Sequence, residues 1–263
     1  AQVDVGSKSH PALADVNQDG LLDIVVGNYL KFSIGSRPSL HLFINTSSDG
    51  LLSFELQDED WLQLSEQNDL NIQLKPAFGD LDQDGDQDLL VGQVSGELLF
   101  FENTAGVGEP LDFAPPRDLY NALGSNAEVS PQIIDLDEDG LNDVVVGNAF
   151  GTLEFIRNTG EPGSPEFAPG HPDNIPFLGN VEADPGNFLG FSTPYFINTA
   201  EGLRCFVGNI NGEIKQFTDI WASQDPWTEE PSIFEGVYEG IDATLAVGDI
   251  DNDGQLEAII GNR

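Results

Sequence analysis

Methionine is absent and basic residues are scarce: nine Lys and Arg stand against 46 Asp and Glu in 263 residues, a formal net charge of −37. Nine scattered cations cannot form the basic stripe that a phosphodiester backbone requires, so nucleic acid is excluded as a partner. The same charge repels anionic bilayers. No apolar run approaches the ~20 residues of a membrane-spanning helix, so direct membrane insertion is not expected. The single Cys205 rules out an intrachain disulfide framework. The opening AQVDVGSKSH lacks an initiating Met and the basic and apolar blocks of a secretion signal, and the chain reads as an excised or processed segment.

Catalytic signatures are missing as well. The sequence contains no GxSxG elbow, HExxH helix, P-loop or dinucleotide fingerprint. Of the three histidines, His10 and His171 precede proline and His41 lies in a strand-like run. Cys205 sits in RCFVGN, where a small buried side chain is the natural reading rather than a nucleophile. Carboxylates abound, so composition leaves glycosidase chemistry open, yet no isolated pair stands out. The expectation is a protein that is not an enzyme.

Hydrophobic residues make up 39% of the chain, with 17 Phe, and they cluster in short runs able to form a core, which argues against disorder. One unit recurs. HPALADVNQDGLLDIVVGN begins at His10, KPAFGDLDQDGDQDLLVGQ at Lys75, SPQIIDLDEDGLNDVVVGN at Ser130 and TLAVGDIDNDGQLEAIIGN at Thr244. A degenerate unit, STPYFINTAEGLRCFVGN from Ser192, keeps the apolar runs without the acidic centre. The repeat units span roughly residues 10–74, 75–129, 130–191, 192–243 and an incomplete 244–263, in a single domain or part of one. Each has an apolar strand, an acidic loop, a continuous apolar run of the kind buried on both faces, then a third alternating strand such as GELLFFENT or GTLEFIRNT. A looser aromatic segment around Phe54, Phe113 and Phe167 stands in fourth place. Four short strands per unit predict an all-β fold, a β-propeller of four-stranded blades with five units visible. A linear solenoid competes less well, since its units are typically ~20–45 residues. Because the last unit stops after its second strand, the expectation is part of a larger propeller, or a ring closed by strands outside the chain, with residues 1–9 able to supply one strand.

The loops carry the chemistry. Asp15, Asn17, Asp19, Gly20 and Asp23 occupy positions 1, 3, 5, 6 and 9 of the first. Asp80, Asp82, Asp84, Gly85 and Asp88 repeat them, then Asp135, Asp137, Asp139, Gly140 and Asp143, and finally Asp249, Asp251, Asp253, Gly254 and Glu257. So many like charges within a few ångströms would raise each other's pKa, and a hard divalent cation resolves the conflict. Calcium fits best, because it accepts 6–8 oxygens in an adaptable shell, whereas magnesium prefers a small octahedron with retained waters. Backbone carbonyls at position 7 (Leu21, Asp86, Leu141 and Gln255) would add a ligand each, giving about four structural calcium ions. An EF-hand would need Glu at position 12, where this chain has Val26, Val91, Val146 or Ile260. Plain solvated Asp-Gly turns are the bland alternative, and four matched copies argue against them. A gapless alignment on Gly208 places Arg204 where Asp143 stands, with Phe196 and Asn198 for the leading acids, so no cation site is expected there and the Arg204 guanidinium could stand in for the ion.

DxDxDGxxD between two strands, followed by VVGN and G-x-L-x-x-F-x-N-T, resembles the FG-GAP/VCBS repeats of integrin α-subunit propellers and many bacterial surface proteins. The resemblance spans nearly the entire chain. Residues 180–219 and the closing TLAVGDIDNDGQLEAIIGNR look similar to secreted VCBS-repeat proteins of Bacteroidetes. It implies a seven-bladed, extracellular, calcium-stabilised propeller whose loop faces bind partners. The chain departs from it in showing five units, one without the loop motif, and Glu257 where Asp is usual. Function then points to a cell-surface adhesion or protein-interaction module, with a protein or glycan ligand at a ring face. A carbohydrate-binding propeller is the alternative, with Trp61, Trp221, Trp227 and Tyr238 as candidate stacking residues unless they pack between blades. A polysaccharide lyase or hydrolase on the same scaffold is a third reading.

Overall fold

The structure, a computed structural model, describes residues 5–29, 37–48, 51–66, 73–120, 128–168, 170–184, 186, 189–237 and 240–262. Four antiparallel sheets follow one another along the chain. The first holds β1 (His10–Ala14), β2 (Asp23–Gly27), β3 (Leu40–Asn45) and β4 (Phe54–Asp58), paired in that order. The second holds β5 (Leu74–Gly79), β6 (Asp88–Gln93), β7 (Leu98–Phe101) and β8 (Arg117–Tyr120). β9 (Ser130–Ile134), β10 (Asp143–Gly147), β11 (Leu153–Ile156) and β12 (Ile175–Pro176) make the third, and β13 (Thr193–Thr199), β14 (Gly202–Gly208), β15 (Ile214–Thr218) and β16 (Thr228–Glu230) the fourth. β17 (Thr244–Gly248) and β18 (Glu257–Gly261) pair alone.

The apolar runs became the second strand of each sheet. DLLVGQ in β6 and DVVVG in β10 are buried at every residue, because both faces of these strands meet neighbouring sheets. The core is accordingly a set of layers between sheets. Leu42, Leu74, Leu89 and Phe101 fill the layer between the first and second sheets, and Leu90, Phe100, Val144 and Ile156 the next. Cys205, Val207, Phe217 and Trp227 meet Val145 and Phe155 in the third layer, and Phe206, Ile214, Leu245 and Ile260 form the fourth. This is a β-propeller. In the first blade the fourth strand begins at Phe54 as expected, but in the second and third it sits later than the aromatic segments suggest: Phe113 forms only a bridge to Asn103, and both Phe113 and Phe167 turn into the core.

Every seam between blades uses the same contact. The residue after the glycine near the end of each second strand offers its carbonyl to the chain entering the next blade. Leu74 N donates to Asn28 O, Val129 N to Gln93 O, Ser192 N to Asn148 O, and Ala243 N to Asn209 O, at 3.0–3.2 Å. The glycine permits the approach: a Cβ on Gly27, Gly92, Gly147 or Gly208 would lie 2.0–2.3 Å from the incoming carbonyl oxygen. The fifth seam repeats the pattern. Ser9 N donates to Asn262 O at 3.0 Å, and a Cβ on Gly261 would lie 2.1 Å from Ser9 O. The innermost strands β1, β5, β9, β13 and β17 therefore neighbour one another around a ring that returns to β1. The fifth blade fills two of its four places among the described residues, and a longer propeller would have to part the β17–β1 seam. Residues 5–9 do not extend that blade; Val5 packs on Val26 and Phe43 of the first sheet, and Ser7 O accepts from Tyr29 N.

Gly92→Ala and Gly261→Ala should each cost about 1–3 kcal/mol in urea unfolding, the usual penalty for forcing atoms into a packed contact. Equal costs are expected of a ring closed through β1 and β17; a neutral Gly261→Ala beside a costly Gly92→Ala would show that seam open.

Candidate functional site

All four acidic loops join the first strand of a blade to its second, so they gather on one face of the ring. Their local structure is a ladder built from sequence spacing. The position-1 carboxylate accepts from the position-6 glycine N–H in each: Gly20 to Asp15 Oδ2 at 2.8 Å, Gly85 to Asp80 at 3.1 Å, Gly140 to Asp135 at 3.0 Å and Gly254 to Asp249 at 3.0 Å. Position 3 accepts from the position-5 N–H, and position 5 from the position-7 N–H, in all four. The turn needs left-handed backbone twice. Position 4 (Gln18, Gln83, Glu138, Asn252) has φ near +60°, and the position-6 glycines have φ of 86–98°.

The position-9 acid does something different. Asp23, Asp88 and Asp143 are fully buried, and each spans two segments with its two oxygens. Oδ2 accepts from the N–H of position 2 (Val16, Leu81, Leu136), and Oδ1 from the N–H of the asparagine at or just past the end of the third strand (Asn45, Asn103, Asn158). Glu257 makes the first of these bonds, to Ile250 N at 2.9 Å. Burial raises the Asp23 carboxyl above its ordinary value and pushes Asp88 and Asp143 up to about 7, against the lowering effect of those N–H donors.

The ladder leaves oxygens over, and these fit a metal. Asp80 Oδ1, Asp135 Oδ1 and Asp249 Oδ1 are the same atom in three loops, each buried without a hydrogen-bond partner. Asp80, Asp82 and Asp88 bring ligand oxygens within 4.8 Å of one another, as do Asp135, Asp137 and Asp143, and Asp249, Asp251 and Glu257. These clusters could hold a metal ion. The first loop forms no such group of three acids among the described residues; Asn17 replaces an acid, Asp15 Oδ1 accepts from Asp19 N, and the Asn17 amide donates to Asp19. Leu21, Leu141 and Gln255 enter the ladder through their N–H groups.

Two residues, Asp86 and Arg157, carry more than their spacing suggests. Asp86, read from sequence as a carbonyl donor only, is 7% exposed, and neither of its carboxylate oxygens has a hydrogen-bond partner. The Asn103 amide lies beside it, short of hydrogen-bonding geometry. Burial, then Asp84, raises the Asp86 pKa, so the second loop concentrates an extra buried acid, and Glu102 nearby adds to the charge felt by Asp82. Arg157 reaches the third loop, with Nε 3.1 Å from Asp137 and Nη2 2.7 Å from Asp139. The signals were present: Asp86 is the one acid at position 7, and Arg157 the one cation before an Asn-Thr ending.

The degenerate hairpin is shorter than a gapless alignment allows. Thr193 pairs with Gly208 and Ile197 with Arg204, as Ser130 pairs with Gly147 and Ile134 with Asp143, so Arg204 does take the place of the position-9 acid. Asn198, rather than Phe196, falls at the place of Asp135, because a tight turn at Ala200-Glu201 removes two residues. Arg204 pairs with Glu201 and approaches Glu230 at 3.8 Å.

The opposite face gathers the entry residues Lys8, Gln73, Glu128, Phe191 and Asp242, one per seam, all with positive φ of 50–76°. Lys8 crosses to Glu128 at 3.0 Å, and the buried Lys75 donates to Glu128 O at 3.0 Å. His10, whose pKa is lowered by burial, accepts from the Gln73 amide. Of the candidate stacking residues, Trp61 packs on Phe78 and Phe113, and Trp227 on Phe196 and Phe217, with its Nε1 donating to Trp221 O. Trp221 is 53% exposed, and Tyr238 lies outside the described residues.

Fold and loops together define a repeat propeller with clustered carboxylates at its strand hairpins. The profile of the FG-GAP-like repeat matches residues 15–91, from the lead aspartate of the first loop into β6, and so takes in both the first and second loops. A propeller of such repeats fits a protein-interaction module. The chain matches no curated protein, and no helix among the described residues is long and apolar enough to cross a membrane.

Asp88→Ala would strand the Leu81 and Asn103 N–H groups in the core and should cost about 2–6 kcal/mol in chemical denaturation, at roughly 1–3 kcal/mol for each unpaired group. Burial also pushes the Lys75 ammonium down to about 8, with Lys8 adding to the effect and Glu128 and Asp242 opposing it. The fold thus prefers the neutral amine, so its penalty fades as pH rises through about 8 toward the unfolded value of roughly 10.4. The stability of wild type minus that of Lys75→Met should therefore increase between pH 8 and pH 10. The opposing titration of buried Cys205, whose pKa is raised, cancels in that difference.

Proposed function

We propose that the chain is a non-enzymatic, extracellular adhesion or protein-interaction module whose loops are fastened by calcium. The observation that carries this reading is the repeated ladder: the same turn geometry in four loops, leaving the same lead-acid oxygen buried and unbonded in three of them. Oxygen-only donors in a dense, adaptable cage suit calcium better than magnesium. Position-1, -3, -5 and -9 side chains would hold each ion, with position-7 carbonyls adding a ligand; in the second loop the Asp86 carboxylate is a further candidate. Calcium would neutralise acids that burial alone leaves unfavourably charged. Extracellular sites of this class bind at roughly 10⁻⁴–10⁻³ M, which supports a location outside the cell.

The non-enzymatic reading is supported by how the reactive side chains are used. His10 and Cys205 are buried within packed blades, and the pocket at the fourth and fifth blades, lined by Ile214, Val237, Ala243, Ile260 and Asn262, has no ionisable side chain among the described residues. A protein partner at a ring face is favoured over a glycan because Trp61 and Trp227 are committed to the core.

Chelation tests the calcium reading. Excess EDTA should lower the melting temperature by about 5 °C or more relative to millimolar calcium, given roughly 2.7 kcal/mol per site at a hundredfold excess over Kd. An unchanged melting curve would overturn it. A glycan array without hits, beside calcium-dependent retention of a protein partner, is the outcome expected for the binding function.

A further inference from the structure

We propose that Arg157 is a built-in competitor for the cation position of the third loop, so that the acidic loops fill unequally and this one fills last among the three with clustered acids. The inference rests on the calcium reading above. Arg157 directly follows the third strand of its blade and precedes Asn158, at the place where the first two blades carry Ile44 and Glu102. From there the guanidinium forks onto three carboxylates: Nε to Asp137 Oδ2 at 3.1 Å, Nη2 to Asp139 Oδ2 at 2.7 Å and Nη1 to Asp173 Oδ2 at 3.1 Å. Asp137 and Asp139 hold positions 3 and 5. Their Oδ1 atoms are already engaged by the N–H groups of Asp139 and Leu141. The oxygens that Arg157 takes are the second oxygens of positions 3 and 5, which the ladder leaves over beside the unbonded Asp135 Oδ1.

A divalent ion entering this loop must displace a delocalised cation that bonds two of its ligands at once, and a planar fork matches carboxylates well. The second loop is arranged the opposite way. Glu102 replaces the arginine, and the buried Asp86 carboxylate adds negative charge without a hydrogen-bond partner. Arg157 thus provides a counter-charge that the third loop keeps when calcium is low, whereas the second loop depends on the ion.

Calorimetric titration of the metal-stripped full chain with calcium chloride tests this, alongside melting curves in EDTA. Arg157→Gln should tighten one calcium step on the order of tenfold or more, since a unit charge at contact distance opposes the ion there. It should also lower the melting temperature in EDTA, where three acids lose their partner. Adding Asp137→Asn to Arg157→Gln should abolish the tightened step, which assigns it to the third loop. Asp173→Asn, at an exposed side chain, releases one arm of the fork without touching the loop and should shift the same step by a smaller factor. That variant keeps the idea testable if Arg157→Gln folds poorly. Calcium binding in which neither variant tightens any step, or in which Arg157→Gln weakens one, would overturn the inference. Absence of calcium binding in wild type and variants alike would instead defeat the calcium reading, and this one with it.

Discussion

In each of the first three blades one buried carboxylate joins the fold to the site. Asp23, Asp88 and Asp143 each accept from a loop N–H with one oxygen and from the end of the third strand with the other. That single side chain fixes where the loop turns, where the second strand begins and where the third strand stops. Hydrogen bonds to a charged acceptor are the strong ones in a protein interior, yet burying the charge is costly. The raised pKa values of Asp88 and Asp143 record that conflict. The remaining loop acids are arrayed around this buried anchor, so the geometry of the clusters follows from the packing of the blades.

The sparse cations are placed where they meet the most need. Among the described residues, Lys8 pairs with Glu128, Arg157 with three aspartates, Arg204 with two glutamates and Lys215 with Glu229. Arg37 donates to Ser65 O, Lys75 to Glu128 O, and Arg117 lies over the Phe100 ring. A surface so acidic has little spare positive charge, and each described cation either relieves a local excess, caps a carbonyl or covers a ring.

Much of the blade architecture is legible in the sequence because its causes are local. Continuous apolar runs such as DVVVG name strands covered on both faces, and Asp-Gly spacing names the turns between them. The seam glycines recur for a physical reason that sequence marks without explaining: there is no room for a methyl group where the next blade's carbonyl arrives. The fourth strands were less readable. They are short and edge-placed, so Arg117–Tyr120 and Ile175–Pro176 carry weak signals, whereas the conspicuous Phe113 and Phe167 serve the core instead. Within the site, the ladder follows from spacing alone. The roles of Asp86 and Arg157 do not, because each depends on a neighbour from another strand, as does the two-residue shortening that moves Asn198 into register.

The fifth seam bears on how the molecule could be assembled. Ser9 and Asn262 meet through the same main-chain bond that links covalently continuous blades elsewhere, so the ring distinguishes poorly between a junction made by the chain and one made by contact alone. Splicing these two positions through a short linker and cutting instead between any other pair of blades would preserve every seam. The rotary arrangement is in that sense indifferent to which blade comes first along the polypeptide.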